Sequence, residues 1–175
     1  GSAVERDPVM SPDGLTVYFA SNEAGAFNIW RMNVDGSDAR QLTFGSDDEF
    51  PAVTPDGSWV LYQGYDEKLA TIWRVRTTGG PAQNLNFGVA LWPAISPDGT
   101  SVAFVYLDPN RQSWQLATAN VDGGEVSIHH ELGLLSIPRL GWQRLRWTPD
   151  GRSVAFLSAT DGATSIVAVP ITAGQ

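Results

Sequence analysis

Ser11-Pro12-Asp13-Gly14 returns as Thr54-Pro55-Asp56-Gly57, Ser96-Pro97-Asp98-Gly99 and Thr148-Pro149-Asp150-Gly151. The aspartates are 43, 42 and 52 residues apart, and a period near 42 means four copies of one supersecondary unit. The turn chemistry is explicit. Proline pre-sets φ at the second position, Ser or Thr suits the first, and glycine takes the bulged, left-handed site at the fourth. Four residues after each aspartate stands a valine (Val17, Val60, Val102, Val154), and six after stands an aromatic (Phe19, Tyr62, Phe104, Phe156). Residues two apart share one face of a strand. The residues between them (Tyr18, Leu61, Ala103, Ala155) are also apolar, so this strand is expected to be covered on both faces. A large apolar group lies three residues before each aspartate (Met10, Val53, Ile95, Trp147), so the turn joins two strands.

A third strand follows in every copy: Asn28–Met32, Thr71–Val75, Trp114–Thr118 and Ser165–Val169. Each runs into a glycine turn, at Asp35-Gly36, Gly79-Gly80, Asp122-Gly123-Gly124 and Gly174. A fourth strand is expected three times, at Gln41–Phe44, Asn84–Phe87 and Val126–Ile128. No stretch sustains helical periodicity. Four antiparallel strands per unit of about 42 residues is the arithmetic of a propeller blade, and four-fold internal similarity argues against a single sandwich. The expected fold is an all-β propeller fragment of about four four-stranded blades. The last copy ends before its outer strand, giving fifteen strands, and repeats near 7–48, 49–90, 91–143 and 144–175. Residues 1–6 read as a cloning remnant, Gly1-Ser2, and a linker, too short for a closing strand. The chain is expected to be excised from a larger protein. The bare last edge predicts self-association, a homodimer or a larger pseudo-continuous ring; a closed four-blade ring is the alternative.

The turn followed by Val-x-aromatic, then Ile-Trp-Arg, Asp-Gly and Gln-Leu-Thr, resembles the TolB-like propeller repeat, and Asn28–Phe44 is similar to one of its blade halves. The resemblance spans nearly the whole chain. It implies a bacterial periplasmic or envelope location and a protein or peptide partner. Related blades occur in TolB, in sensor regions of bacterial serine/threonine kinases and in gating propellers of prolyl-oligopeptidase-like peptidases. The run from Pro138 to Gly151 is most similar to the kinase-associated form.

Composition fits a cored domain, with 42% apolar residues and no run long enough to span a bilayer. A net charge of −8 excludes nucleic acid as a main partner. With no cysteine there is neither a disulfide framework nor a thiolate site. Nucleophile-elbow, P-loop, zincin and dinucleotide motifs are missing, so no catalytic residue, metal or cofactor is expected. The histidines, His129 and His130, are adjacent, point to opposite faces of a strand, and read as an exposed pair. That weakens a lyase reading, because the oligogalacturonate lyases with related blades need a histidine-rich metal site.

Three features are candidates for binding. Asp47, Asp48 and Glu49 form an acidic run, either a solvated loop or a place to hold calcium or a basic partner. In the same frame Phe50 and Trp92 precede Pro51 and Pro93, and either line a channel mouth or pack between blades. The spacer Glu131–Gln143, rich in leucine and holding Trp142, is either a contact loop or a cover for an edge or pore. Overlapping it, Arg139, Arg144, Arg146 and Arg152 either meet an acidic partner or pair separately with nearby carboxylates. The family geometry places a binding rim at 45–50, 88–92 and 131–143 together with 21–27, 64–70 and 107–113.

Overall fold

The computed structural model describes residues 3–132, 145–160 and 163–171. Its chain divides into two compact units, Gly1–Asn86 and Phe87–Gln175. The first holds two sheets. One is β1 (Glu5–Met10), β2 (Thr16–Ser21), β3 (Asn28–Asn33) and β4 (Arg40–Gln41); the other is β5 (Glu49–Val53), β6 (Trp59–Asp66), β7 (Leu69–Arg76) and β8 (Gln83–Asn84). In the second unit, β9 (Ala90–Ile95), β10 (Ser101–Asp108), β11 (Ser113–Asn120) and β12 (Ser127–Glu131) form a third sheet. The last has β13 (Arg146–Trp147), β14 (Ser153–Thr160) and β15 (Ala163–Pro170). Every sheet is an antiparallel meander in chain order, so each is a blade, and the last has three strands among the described residues.

Each Ser/Thr-Pro-Asp-Gly turn closes on its own side chains. The hydroxyls of Ser11, Thr54, Ser96 and Thr148 donate to Oδ1 of the aspartate two residues on, at 2.5–2.6 Å. That oxygen also accepts the backbone N–H of Leu15, Ser58, Thr100 and Arg152 at 3.0–3.1 Å. The hydroxyl in turn accepts from the first residue of the second strand. The glycines sit at φ between 69° and 74°, where a side chain would be strained. Each turn therefore has its polar groups satisfied locally, which frees the flanking strands to spend their side chains on packing.

In the first unit, Tyr18, Ala20 and Ile29 of the first blade meet Val60, Tyr62 and Val75 of the second. In the second unit, Ala103, Val105 and Leu116 of the third blade meet Val154, Phe156 and Val169 of the fourth. The second strands β6 and β10 are covered on both faces as their patterning requires: Val60, Leu61, Val102, Ala103 and Phe104 are fully buried.

Three details differ from the sequence expectation. The outer strands β4 and β8 pair over two residues, Arg40–Gln41 and Gln83–Asn84, starting one residue earlier than expected. Beyond them Leu42 and Leu85 still donate their N–H groups to Ile29 and Ile72 but turn inward to the core. In the third blade the β10–β11 connection holds four residues where β6–β7 has two, so Leu116, not Gln115, stands level with Ile29 and Ile72. Finally, β1 begins at Glu5, inside the stretch read as linker.

Candidate functional site

The inner strands β1, β5 and β9 each carry one extra residue against their partners, between Arg6 and Val9, Glu49 and Ala52, and Leu91 and Ala94. Each bulge contains a left-handed residue immediately before a proline: Asp7 at φ 59°, Phe50 at 55° and Trp92 at 57°. Proline inside a strand is tolerated at a bulge because its missing N–H is not needed there. In β5 and β9 the bulge lies just after the connection from the preceding blade. The positions before it, Arg6, Glu49 and Leu91, are thereby fixed on the inner strand.

Glu49 does not lie in a solvated loop. It is 8% exposed, opens β5, and is ion-paired with Arg6 of β1. The Arg6 guanidinium lies 3.7 Å over the Phe27 ring. Asp48 is 4% exposed and likewise turned inward. Its Oδ2 accepts the Gly45 N–H at 3.2 Å, and its own N–H donates to the Phe27 carbonyl at 2.8 Å. Burial raises the Asp48 pKa, against hydrogen bonds from Thr43 and Gly45 that lower it. Tyr62 is pushed upward too, by its own burial first and then by the Asp48 charge. Two of the three residues in the acidic run are thus interior ties that fix the loop.

Asp47 is the exception. With Ser46 it lines a cleft of about 360 Å³, closed on the other side by Tyr65, Glu67 and Lys68. The connection bearing Ser46 and Asp47 and the β6–β7 hairpin therefore meet at one end of the second blade. The hairpin turn holds Glu67 and Lys68 at φ 44° and 75°, positions where Asn-Gly is the favoured pair. That backbone presents both charged side chains at the cleft. Tyr65 is 37% exposed, so its ring offers an apolar wall.

Trp92 is half-buried and packs against the core of the second unit, with Leu91 and Trp147. That agrees with the packing alternative for this position. Arg139, Trp142 and Arg144 lie outside the described residues, as does most of the leucine-rich spacer. Of the basic run, Arg146 lies in β13 and Arg152 in the last turn. His129 is not exposed as expected: it is half-buried, its pKa lowered by burial, and its Nε2 lies 2.7 Å from Thr118 Oγ1. His130 is exposed, with its ring 6.3 Å from that of Phe156. Among the described residues no group of three or more His, Cys, Asp or Glu side chains is placed to hold a metal ion. The cleft residues Tyr65, Glu67 and Lys68 were not singled out from the sequence; the turn-forming Asp66-Glu67-Lys68-Leu69 between two strand patterns was the available signal.

The arrangement of strands is matched in solved structures. TolB from Acinetobacter baumannii superposes with a TM-score of 0.75 at 22% identity, over 97% of this chain and 44% of that one. The fold is a TolB-like β-propeller. A puromycin-hydrolysing peptidase of Mycobacterium tuberculosis contains a similar arrangement, with a TM-score of 0.70 and 16% identity over 98% of this chain and 30% of that one. Among curated sequences, the uncharacterized protein Atu1656 of Agrobacterium fabrum is 28% identical over 160 residues, covering 86% of this chain and 38% of that protein. No family model matches the chain. The chain spans about two-fifths of the curated relative and of the Acinetobacter TolB. Among the described residues no helix is long and apolar enough to cross a membrane.

Proposed function

We propose that this propeller segment is a non-catalytic binding module that takes a protein or peptide partner at the rim containing the Ser46, Asp47, Tyr65, Glu67 and Lys68 cleft. The cleft itself carries the reading, because it joins two connections from the same end of a blade around an aromatic wall and both signs of charge. An extended peptide offers matching chemistry, with charged side chains for Asp47, Glu67 and Lys68 and an apolar one for Tyr65. Arg139, Trp142, Arg144 and Trp92 remain separate candidates for partner binding in this proposal, each tested by its own substitution. A second copy of the chain is among the partners, and a bacterial envelope location accords with the TolB-like resemblance.

Selection from a displayed peptide library, followed by calorimetry on the selected peptide, tests the reading. Tyr65→Ala and Asp47→Ala are expected to weaken binding by about ten-fold or more each without lowering the melting temperature. Arg139→Ala with Arg144→Ala is expected to do the same. Affinity unchanged by all four substitutions would remove the rim from the proposal.

A second reading is favoured by the likeness to the Mycobacterium peptidase: the segment serves as the accessory propeller of an enzyme, a serine peptidase or a signalling kinase. The full gene distinguishes these. A downstream Gly-x-Ser-x-Gly supports a peptidase, an upstream kinase lysine and His-Arg-Asp a kinase, and neither leaves the binding module alone.

A further inference from the structure

The Trp59–Arg76 pair stands apart from the rest of the repeat. It closes the β6–β7 ladder at the end opposite the hairpin, and the same register holds Thr16–Asn33, Ser101–Asn120 and Ser153–Pro170 in the other blades. Three blades form with small or short side chains at this place. The blade itself therefore needs neither an indole nor a guanidinium there.

Within the second blade two arginines of β7 converge on that indole. The guanidinium carbon of Arg76 lies 3.9 Å from the Trp59 ring centroid, and that of Arg74 lies 4.2 Å from it. Arg74 is held further by Gln83, whose Oε1 accepts its Nε–H at 2.9 Å. Arg76 is exposed, and among the described residues it has no carboxylate partner. The acid of the adjoining turn, Asp56, is taken up by Thr54 and Ser58.

A guanidinium stacked on an aromatic ring keeps its N–H donors in its own plane, where they match the two oxygens of a carboxylate. Stacking also orders the side chain beforehand, which lowers the entropy lost when a ligand arrives. On a chain of net charge −8, two arginines gathered on one indole reverse the local sign and favour an anionic partner.

We propose that Trp59 and Arg76, with Arg74 against the same ring, form a second docking surface, for an acidic segment of a partner protein. A Glu or Asp carboxylate pairs with the Arg76 guanidinium, and the partner's chain rests on the exposed part of the Trp59 indole. Trp59 opens β6 and Tyr65 stands near its other end, about 20 Å away along the strand, so this surface does not depend on the cleft.

An NMR titration of the isotope-labelled chain with a capped tetraglutamate peptide tests it, with the tetraglutamine peptide as the neutral probe. The Trp59 indole N–H and Arg76 Nε–H resonances are expected to shift saturably with tetraglutamate, with a Kd below about 1 mM, and to stay in place with tetraglutamine. Trp59→Thr and Arg76→Asn install the side chains that the first blade carries at this register. Each is expected to keep the wild-type melting temperature and to weaken tetraglutamate binding about ten-fold or more, read from the resonance that remains. Arg76→Asn alters only an exposed side chain, so it alone decides if Trp59→Thr proves unstable. Binding of the peptide selected for the rim persists in both variants, so the two surfaces succeed or fail separately. The proposal is overturned if wild type shows no saturable shift, if tetraglutamine binds as tightly, or if Arg76→Asn binds tetraglutamate undiminished.

Discussion

A β-carbon on Gly64 would stand 2.9 Å from Asp48 Oδ1 and 2.9 Å from Trp73 Cδ1, so the missing side chain in β6 is what admits the Asp48 carboxylate to the interior. Gly45 does the same from the loop, where a β-carbon would meet that carboxylate even more closely. Gly64→Ala is expected to cost about 1–3 kcal/mol, as small-to-large changes in packed sites do, read from urea unfolding. Gly45→Ala is expected to displace Asp48 and loosen the connection bearing Asp47. Amide exchange at residues 43–48 would then rise while that of β6 stays protected.

The buried aspartate shows where sequence reading ended. The blades were legible because turn, valine and aromatic recur in one register, and each is enforced by geometry that the residue type reveals. Asp47, Asp48 and Glu49 are chemically alike in one dimension, and only the fold separates a half-buried cleft wall from two interior ties. The signal that was present lies in the neighbours: two glycines opposite the carboxylate, and an arginine six residues from the start of the chain. The bulges were half legible. Pro8, Pro51 and Pro93 share one register, but nothing in the letters says that the preceding residue turns left-handed.

The turn aspartates predict an acid-sensitive fold. Hydrogen bonds from the Ser or Thr hydroxyl, first of all, lower the pKa of Asp13, Asp56, Asp98 and Asp150, and that of Asp56 falls from 3.8 to about 2. A carboxyl whose folded pKa lies below its unfolded one binds more protons when unfolded. Its stabilisation is complete above the unfolded pKa and is lost as pH falls toward the folded one. Urea midpoints are expected to hold steady down to about pH 4.5 and then drop between about pH 4 and pH 2. Asp56→Asn should lower the midpoint at neutral pH and flatten the decline in that window.

The Arg6–Glu49 pair is asymmetric. Arg6 is 34% exposed along its side chain and Glu49 only 10%, so removing the arginine strands a buried carboxylate, whereas removing the acid leaves a guanidinium that reaches water and Phe27. Arg6→Met is expected to cost about 3 kcal/mol, and Glu49→Gln clearly less. The double variant should recover part of the loss, giving a coupling that a thermodynamic cycle measures.

In the second unit, the Trp147 indole Nε1 donates to the Ala94 carbonyl at 2.9 Å, tying the short β13 to β9. Trp147→Phe keeps most of the ring packing but orphans that carbonyl. A loss of about 1 kcal/mol is expected, with faster amide exchange along β13.

Because every Ser/Thr-Pro-Asp-Gly corner is satisfied by its own hydroxyl and carboxylate, no corner depends on a distant partner for its shape. A gene built of such corners can be lengthened or shortened by whole meanders, each arriving with its bend already specified.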